Sequence, residues 1–135
     1  MQVAALLATA LLFGGMVLFS AGLAAFLFSV MPPPEAGRAL RRAFPHFYLF
    51  VMGSAAAGAA LAAPGDGVSA TLLAAMAATT VPTRQLLMPA INAATDAGDR
   101  RRFGLLHGLS VAITLAHVVV AGYVLARFLG PAGGA

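Results

Sequence analysis

The stretch GLLHGLSVAITLAHVVVAGYVLA, residues 104–126, contains no Asp, Glu, Lys or Arg. As a helix it is long enough to cross the hydrocarbon of a bilayer, which takes about 20 residues. Inside it, His107, Ser110, Thr114 and His117 advance by three or four positions. At about 100° per residue they fall on one stripe of the helix. Lipid cannot satisfy a polar stripe, so it must face other helices, a ligand or water. The stretch therefore predicts a membrane-crossing helix packed among partners, not a lone anchor.

Composition places the rest of the chain in the same solvent. Apolar residues make up 61% of the 135 and charged residues 9%, against about 45–50% and 25% in soluble domains. A soluble fold of this size cannot hide that much apolar surface. The net charge of +4 is carried by arginine without any lysine. Six of the eight arginines fall in two inter-helix clusters, which fits membrane topology and argues against nucleic acid as a partner. Cysteine is absent, which excludes disulfides, thiolate metal sites and Cys nucleophiles.

Working outward from residues 104–126, the chain reads as all-α: one integral membrane domain over 1–135, a four-helix transmembrane bundle with helices at about 3–30, 45–63, 68–92 and 103–128. The first run is uncharged, lacks a basic segment before it and is too long for a signal-peptide core, so a retained helix is expected. Pro32, Pro33 and Pro34 end it. Residues 35–44, with Arg38, Arg41 and Arg42, predict a short interfacial helix after the first span. In the second span Gly53, Ser54, Ala57 and Gly58 form overlapping small-xxx-small pairs, which let helix backbones approach closely. Pro64 to Gly67 make a tight turn. The third span is interrupted by Pro82 and Pro89, each of which should kink or locally open it. The Gly/Ala-rich tail, residues 130–135, is expected to fray.

Arginine counting orients the bundle. The first and third connections carry three arginines each and the second none, so that end is expected in the cytoplasm and both termini outside it, in a bacterial inner or plasma membrane. At about 1.5 Å per residue, His46, Arg84, Gln85, Asn92 and His107 share the cytoplasmic leaflet. His117 lies about 15 Å further out, with Met76 near it in depth.

These residues supply the candidates. Arg84 either snorkels to the interface or bonds helix carbonyls freed by Pro89 or an anionic ligand. Arg84, Asn92, His107, Ser110, Thr114 and His117 are the ligand-binding candidates; no catalytic residue is assigned. No cofactor is expected. Haem or a soft metal would have to draw on His46, His107, His117 and Met76, although His107 and His117 cannot share one iron from ten residues apart on one helix. No carboxylate lies within a span, and no phosphate-binding loop, nucleophile elbow or zinc-protease motif is present.

Two segments carry a resemblance. Pro89-x-Ile91-Asn92 and His107-Gly108-x-Ser110, with Phe13-Gly14-Gly15, Gly37-Arg38 and Phe44-Pro45 before them, resemble the transmembrane protein 205-like family over nearly the whole chain. The resemblance implies a small four-helix membrane protein without established biochemistry. That family is distantly similar to the copper-resistance D-like proteins, a grouping that includes haem-binding protoporphyrinogen oxidases. Those oxidases use a histidine in their first helix; the first helix here has none.

The function expected from sequence is a structural or accessory membrane subunit, or a self-associating bundle. Its partners would be the lipid bilayer and a homo-oligomer or larger membrane complex. The alternative is a transporter or binding protein for a small ligand, metal or haem, using the polar stripe of the fourth helix.

Overall fold

The computed structural model describes residues 1–130. The chain is all-helical, and four long helices form an up-down-up-down bundle: α1 (Gln2–Val30), α2 (Pro33–Ala62), α3 (residues 67–96) and α4 (Arg100–Leu129). Each helix packs on its neighbours in chain order, and α4 closes the ring against the Gln2–Val17 part of α1. Residues 131–135 of the tail expected to fray lie outside the described residues.

The helix ends follow from local chemistry. Met31 is extended, the conformation that a following proline favours, and Pro33 and Pro34 open α2 with Glu35 in its first turn. Asp66 caps α3, its side chain accepting the Ser69 amide at 3.0 Å. Asp99 caps α4 in the same way through the Arg102 amide. Between α3 and α4 the chain reverses on Gly98, whose φ of +67° is open to a residue without a Cβ.

Two features differ from the expected segmentation. Residues 35–44 are helical, but they run on without a break into the second span, so α2 is one helix with Pro45 inside it. A proline there removes one amide from the ladder. Aromatic packing flanks Pro45: Phe19 of α1 stacks on Phe47 at 4.3 Å and meets Phe44 edge-on at 5.3 Å. In α3, the opening expected from Pro82 and Pro89 takes the form of a wide π-helical turn, Thr83–Leu87, lying between them. A second π turn, Leu18–Leu23, interrupts α1. Counted from the arginine-bearing end, the two lie at similar depth.

The surface is that of a membrane protein. Leu7, Leu11, Leu18, Leu86, Leu105 and Val119 point outward, a coat that water would penalise and lipid would not. Three helices, α1, α2 and α4, are long and apolar enough to cross a membrane. α3 is not among them, because Thr79, Thr80, Thr83, Arg84 and Gln85 dilute its apolar character. The core runs along the axis through Leu12, Met16, Val51, Leu73, Met76 and Val124. Gly58 lets α2 approach its neighbours closely: a Cβ there would lie 3.1 Å from the Leu73 methyl and 3.5 Å from the Thr9 hydroxyl. Gly53 and Ala57, of the same small-residue set, face outward instead.

An amphipathic cleft at the arginine-rich end

The six arginines of the two clusters gather at one end of the bundle, where α1 and α3 finish and α2 and α4 begin. Just inside that end lies a cleft of about 420 Å³ to which all four helices contribute. Beyond its π turn α1 makes its main contacts with α2 and no longer packs closely on α4, so the cleft opens sideways between α1 and α4. Exposed Ala21 and Phe28 form one lip, and exposed Val111 and Leu115 the other.

Four of the six ligand-binding candidates meet here. Asn92 of α3 and His107, Ser110 and Thr114 of α4 all line the cleft. His107 is exposed to it and stacks on Phe103, ring centroids 5.2 Å apart. Ser110 is buried, its Oγ 3.4 Å from the Tyr48 hydroxyl across the bundle. Most of the remaining wall is apolar, built largely from Phe44, Phe47, Met88 and Ile91.

The other two candidates lie deeper. His117 Nε2 is 2.9 Å from the Thr79 hydroxyl, which also donates to the Ala75 carbonyl. That places the imidazole beside a chamber of about 10 Å³ shared with Thr80, Thr83 and Thr114, a volume at the threshold for one water. Phe47, Tyr48 and Thr114 border both chamber and cleft, so a polar tract runs from His107 inward to His117. Arg84 stands apart: its Nε donates to the Pro45 carbonyl at 3.2 Å. Arginine does bond a proline-associated carbonyl, but the proline belongs to the neighbouring helix and is not Pro89.

The metal candidates are not brought together. His46 is exposed in a separate apolar groove between α1 and α2, walled by Leu18, Phe26 and Phe50. Met76 is buried in the core. Among the described residues no three of His, Cys, Asp or Glu converge on one point.

Three polar lining residues are not among the candidates taken from the sequence: Ser20, Arg41 and Tyr48. Arg41 reaches Asp96 of α3 through both guanidinium nitrogens, at 2.7 and 2.9 Å. Those hydrogen bonds hold the Asp96 carboxyl below the usual carboxylate range. A signal existed: Arg41, Phe44 and Tyr48 advance by three and four, and so share one face of α2. Among the described residues, Arg41 is the one lining side chain with a permanent charge, and no carboxylate or thiol lines the cleft. Such a lining is equipped to bind and orient.

A family model described as a domain of unknown function matches residues 7–100, which takes in α1, α2, α3 and the turn that follows. No curated protein and no solved structure matches the chain.

Proposed function

The chain belongs to the DUF4149 family, and from the structure of this member we propose a membrane-embedded binding protein for a small amphipathic molecule, held in the cleft between α1 and α4. The observation that carries the reading is the cleft itself. Its volume, about 420 Å³, falls in the range of small-ligand sites, roughly 300–1,000 Å³. Its composition matches too: apolar walls with a few converging polar groups. A lateral opening admits a molecule already dissolved in the bilayer. The residues that carry the resemblance to the transmembrane protein 205-like family support the same site, since Ile91, Asn92, His107 and Ser110 all line it.

In the same proposal α3 crosses the bilayer beside the other helices, with its threonines turned to α4 and its own carbonyls. The arginine-rich end faces the cytoplasm of a bacterial inner membrane, and both termini lie outside. The cleft then belongs to the cytoplasmic leaflet. Transport is the extension of this reading in which a ligand passes along the tract toward His117.

The test is to fill the cleft. Ala24 lines it and is half-buried, so Ala24→Phe should occupy it. With both proteins in zwitterionic nanodiscs, dodecanol should raise the unfolding midpoint of the wild type in a saturable way and leave Ala24→Phe unmoved. Identical responses of the two would remove the cleft as a binding site.

A second reading is favoured by one observation. Gly53, Ala56, Ala57 and Ala60 present a small-residue face outward on α2, the kind of surface on which membrane helices associate. The chain has no cysteine, so a single Gly53→Cys variant reports self-association directly. Disulfide-linked dimers in native membranes would support a self-associating bundle, and their absence would count against it.

A further inference from the structure

The ion pair at the cleft is placed where a ligand's head group would sit. Arg41 is both a lining residue and the full partner of Asp96, which lies outside the lining. The carboxylate of Asp96 occupies the two-pronged donor face of the guanidinium, the geometry in which arginine takes up carboxylates and phosphates. Both side chains are well exposed, at 43% and 61%, so solvent screens the pair and a competing anion can reach it. The rest of the lining offers Asn92, Tyr48 and the imidazole of His107 as polar groups, and no carboxylate. The apolar wall, Phe44, Phe47, Met88 and Ile91, suits a hydrocarbon chain.

From this arrangement we propose that the Arg41–Asp96 pair is a latch for an anionic head group: a single-chain amphiphile with a carboxylate or phosphate head enters between α1 and α4 and displaces Asp96 from Arg41. The inference rests on the cleft being a binding site. Asp96 is then a built-in competitor. It keeps the guanidinium occupied when the cleft is empty and sets the affinity for the anion. The exchange is a swap of hydrogen bonds with no covalent step. His107, on α4, is the other lining group able to meet the head.

The experiment compares dodecanoate, dodecyl phosphate and dodecanol, each titrated into protein in zwitterionic nanodiscs and read by the shift in unfolding midpoint. Three proteins are used: wild type, Asp96→Asn and the double variant Arg41→Gln/Asp96→Asn. The double variant has the same net charge as the wild type, so general attraction of anions to the membrane is held constant. Removing the competitor in Asp96→Asn should tighten the anionic probes about 1.5- to 5-fold, the scale of an exposed ion pair, and leave dodecanol unchanged. The double variant should bind all three alike, at the dodecanol affinity. Which anionic probe is preferred in the wild type separates a fatty-acid-type source from a phosphate-headed lipid. If wild type and double variant treat acid and alcohol equally, the latch is refuted while the cleft survives. If dodecanol itself fails to distinguish wild type from Ala24→Phe, the cleft reading falls and the latch with it.

Discussion

Thr79 Oγ1 and His117 Nε2 stand 2.9 Å apart, joining α3 to α4 at mid-bundle. Thr79 Oγ1 also lies 2.8 Å from the Ala75 carbonyl, so one hydroxyl ties its own helix to the imidazole of the next. The pair gives the inner end of the polar tract a fixed position.

That pair is testable by a double-mutant cycle. Thr79→Val and His117→Leu, alone and together, should show a coupling of about 0.5–1.5 kcal/mol, the scale of hydrogen bonds between membrane helices. Unfolding in micelles by graded denaturing detergent measures it. Strictly additive single effects would mean that the two side chains do not depend on each other.

At the opposite end, Asp66 accepts hydrogen bonds from Arg127 at 2.9 Å and from the amide and hydroxyl of Ser69. Arg127 first, then Ser69, hold its carboxyl far below the usual carboxylate range. A depressed pKa stabilises the fold above the unfolded value of about 4, and that stability is lost as pH falls through and below it. The midpoint of the wild type should therefore drop between pH 6 and pH 3 by more than that of Asp66→Asn, by on the order of a few degrees, since the pair is partly exposed. Asparagine keeps the helix cap, so the variant should fold. Parallel pH curves would contradict the prediction.

The sequence made the bundle readable because its signals are local. Apolar runs of membrane length, the prolines at 32–34 and the Pro64-Gly65 turn each act within a few residues. The polar face of α4 was legible for the same reason: spacing alone brings Ser110, Thr114 and His117 to one side, and the structure turns that side inward. What spacing cannot carry is the partner across a gap. Pro45 of the continuous α2 is flanked by Phe44 and Phe47, both packed on Phe19 from another helix. Arg41 read as one of three interfacial arginines until Asp96, 55 positions later, fixed its direction. Tyr48 carries no local sign of its partner, because its buried hydroxyl meets Ser110 from 62 positions away.

Close packing of α1 on α2 supplies a sharper stability contrast. A Cβ on Gly15 would lie 2.5 Å from the Phe50 ring, whereas one on Gly14 would meet nothing within 4 Å. Gly14→Ala should then gain helix propensity, about 0.5–1 kcal/mol. Gly15→Ala must displace the ring and should be less stable than Gly14→Ala by about 1–3 kcal/mol. Adding Phe50→Leu should narrow that difference. Equal midpoints for the two alanine variants would show that the ring yields without resistance.

Arg84 allows a decision between packing and snorkelling. Its Nε donates to the Pro45 carbonyl of α2 at 3.2 Å, and its terminal nitrogen reaches the Gln85 side chain at 3.5 Å. A lysine carries the same charge and snorkels as well, but it places a methylene where Nε lies. If Arg84 serves only to reach the interface, Arg84→Lys should leave the unfolding midpoint unchanged. If it staples α3 to α2, the substitution should cost about 0.5–1.5 kcal/mol. The geometry predicts the loss. It also predicts that the loss falls on the α2–α3 contact: cysteines introduced in pairs across that interface should cross-link less efficiently in Arg84→Lys, while pairs across α1 and α4 cross-link as before.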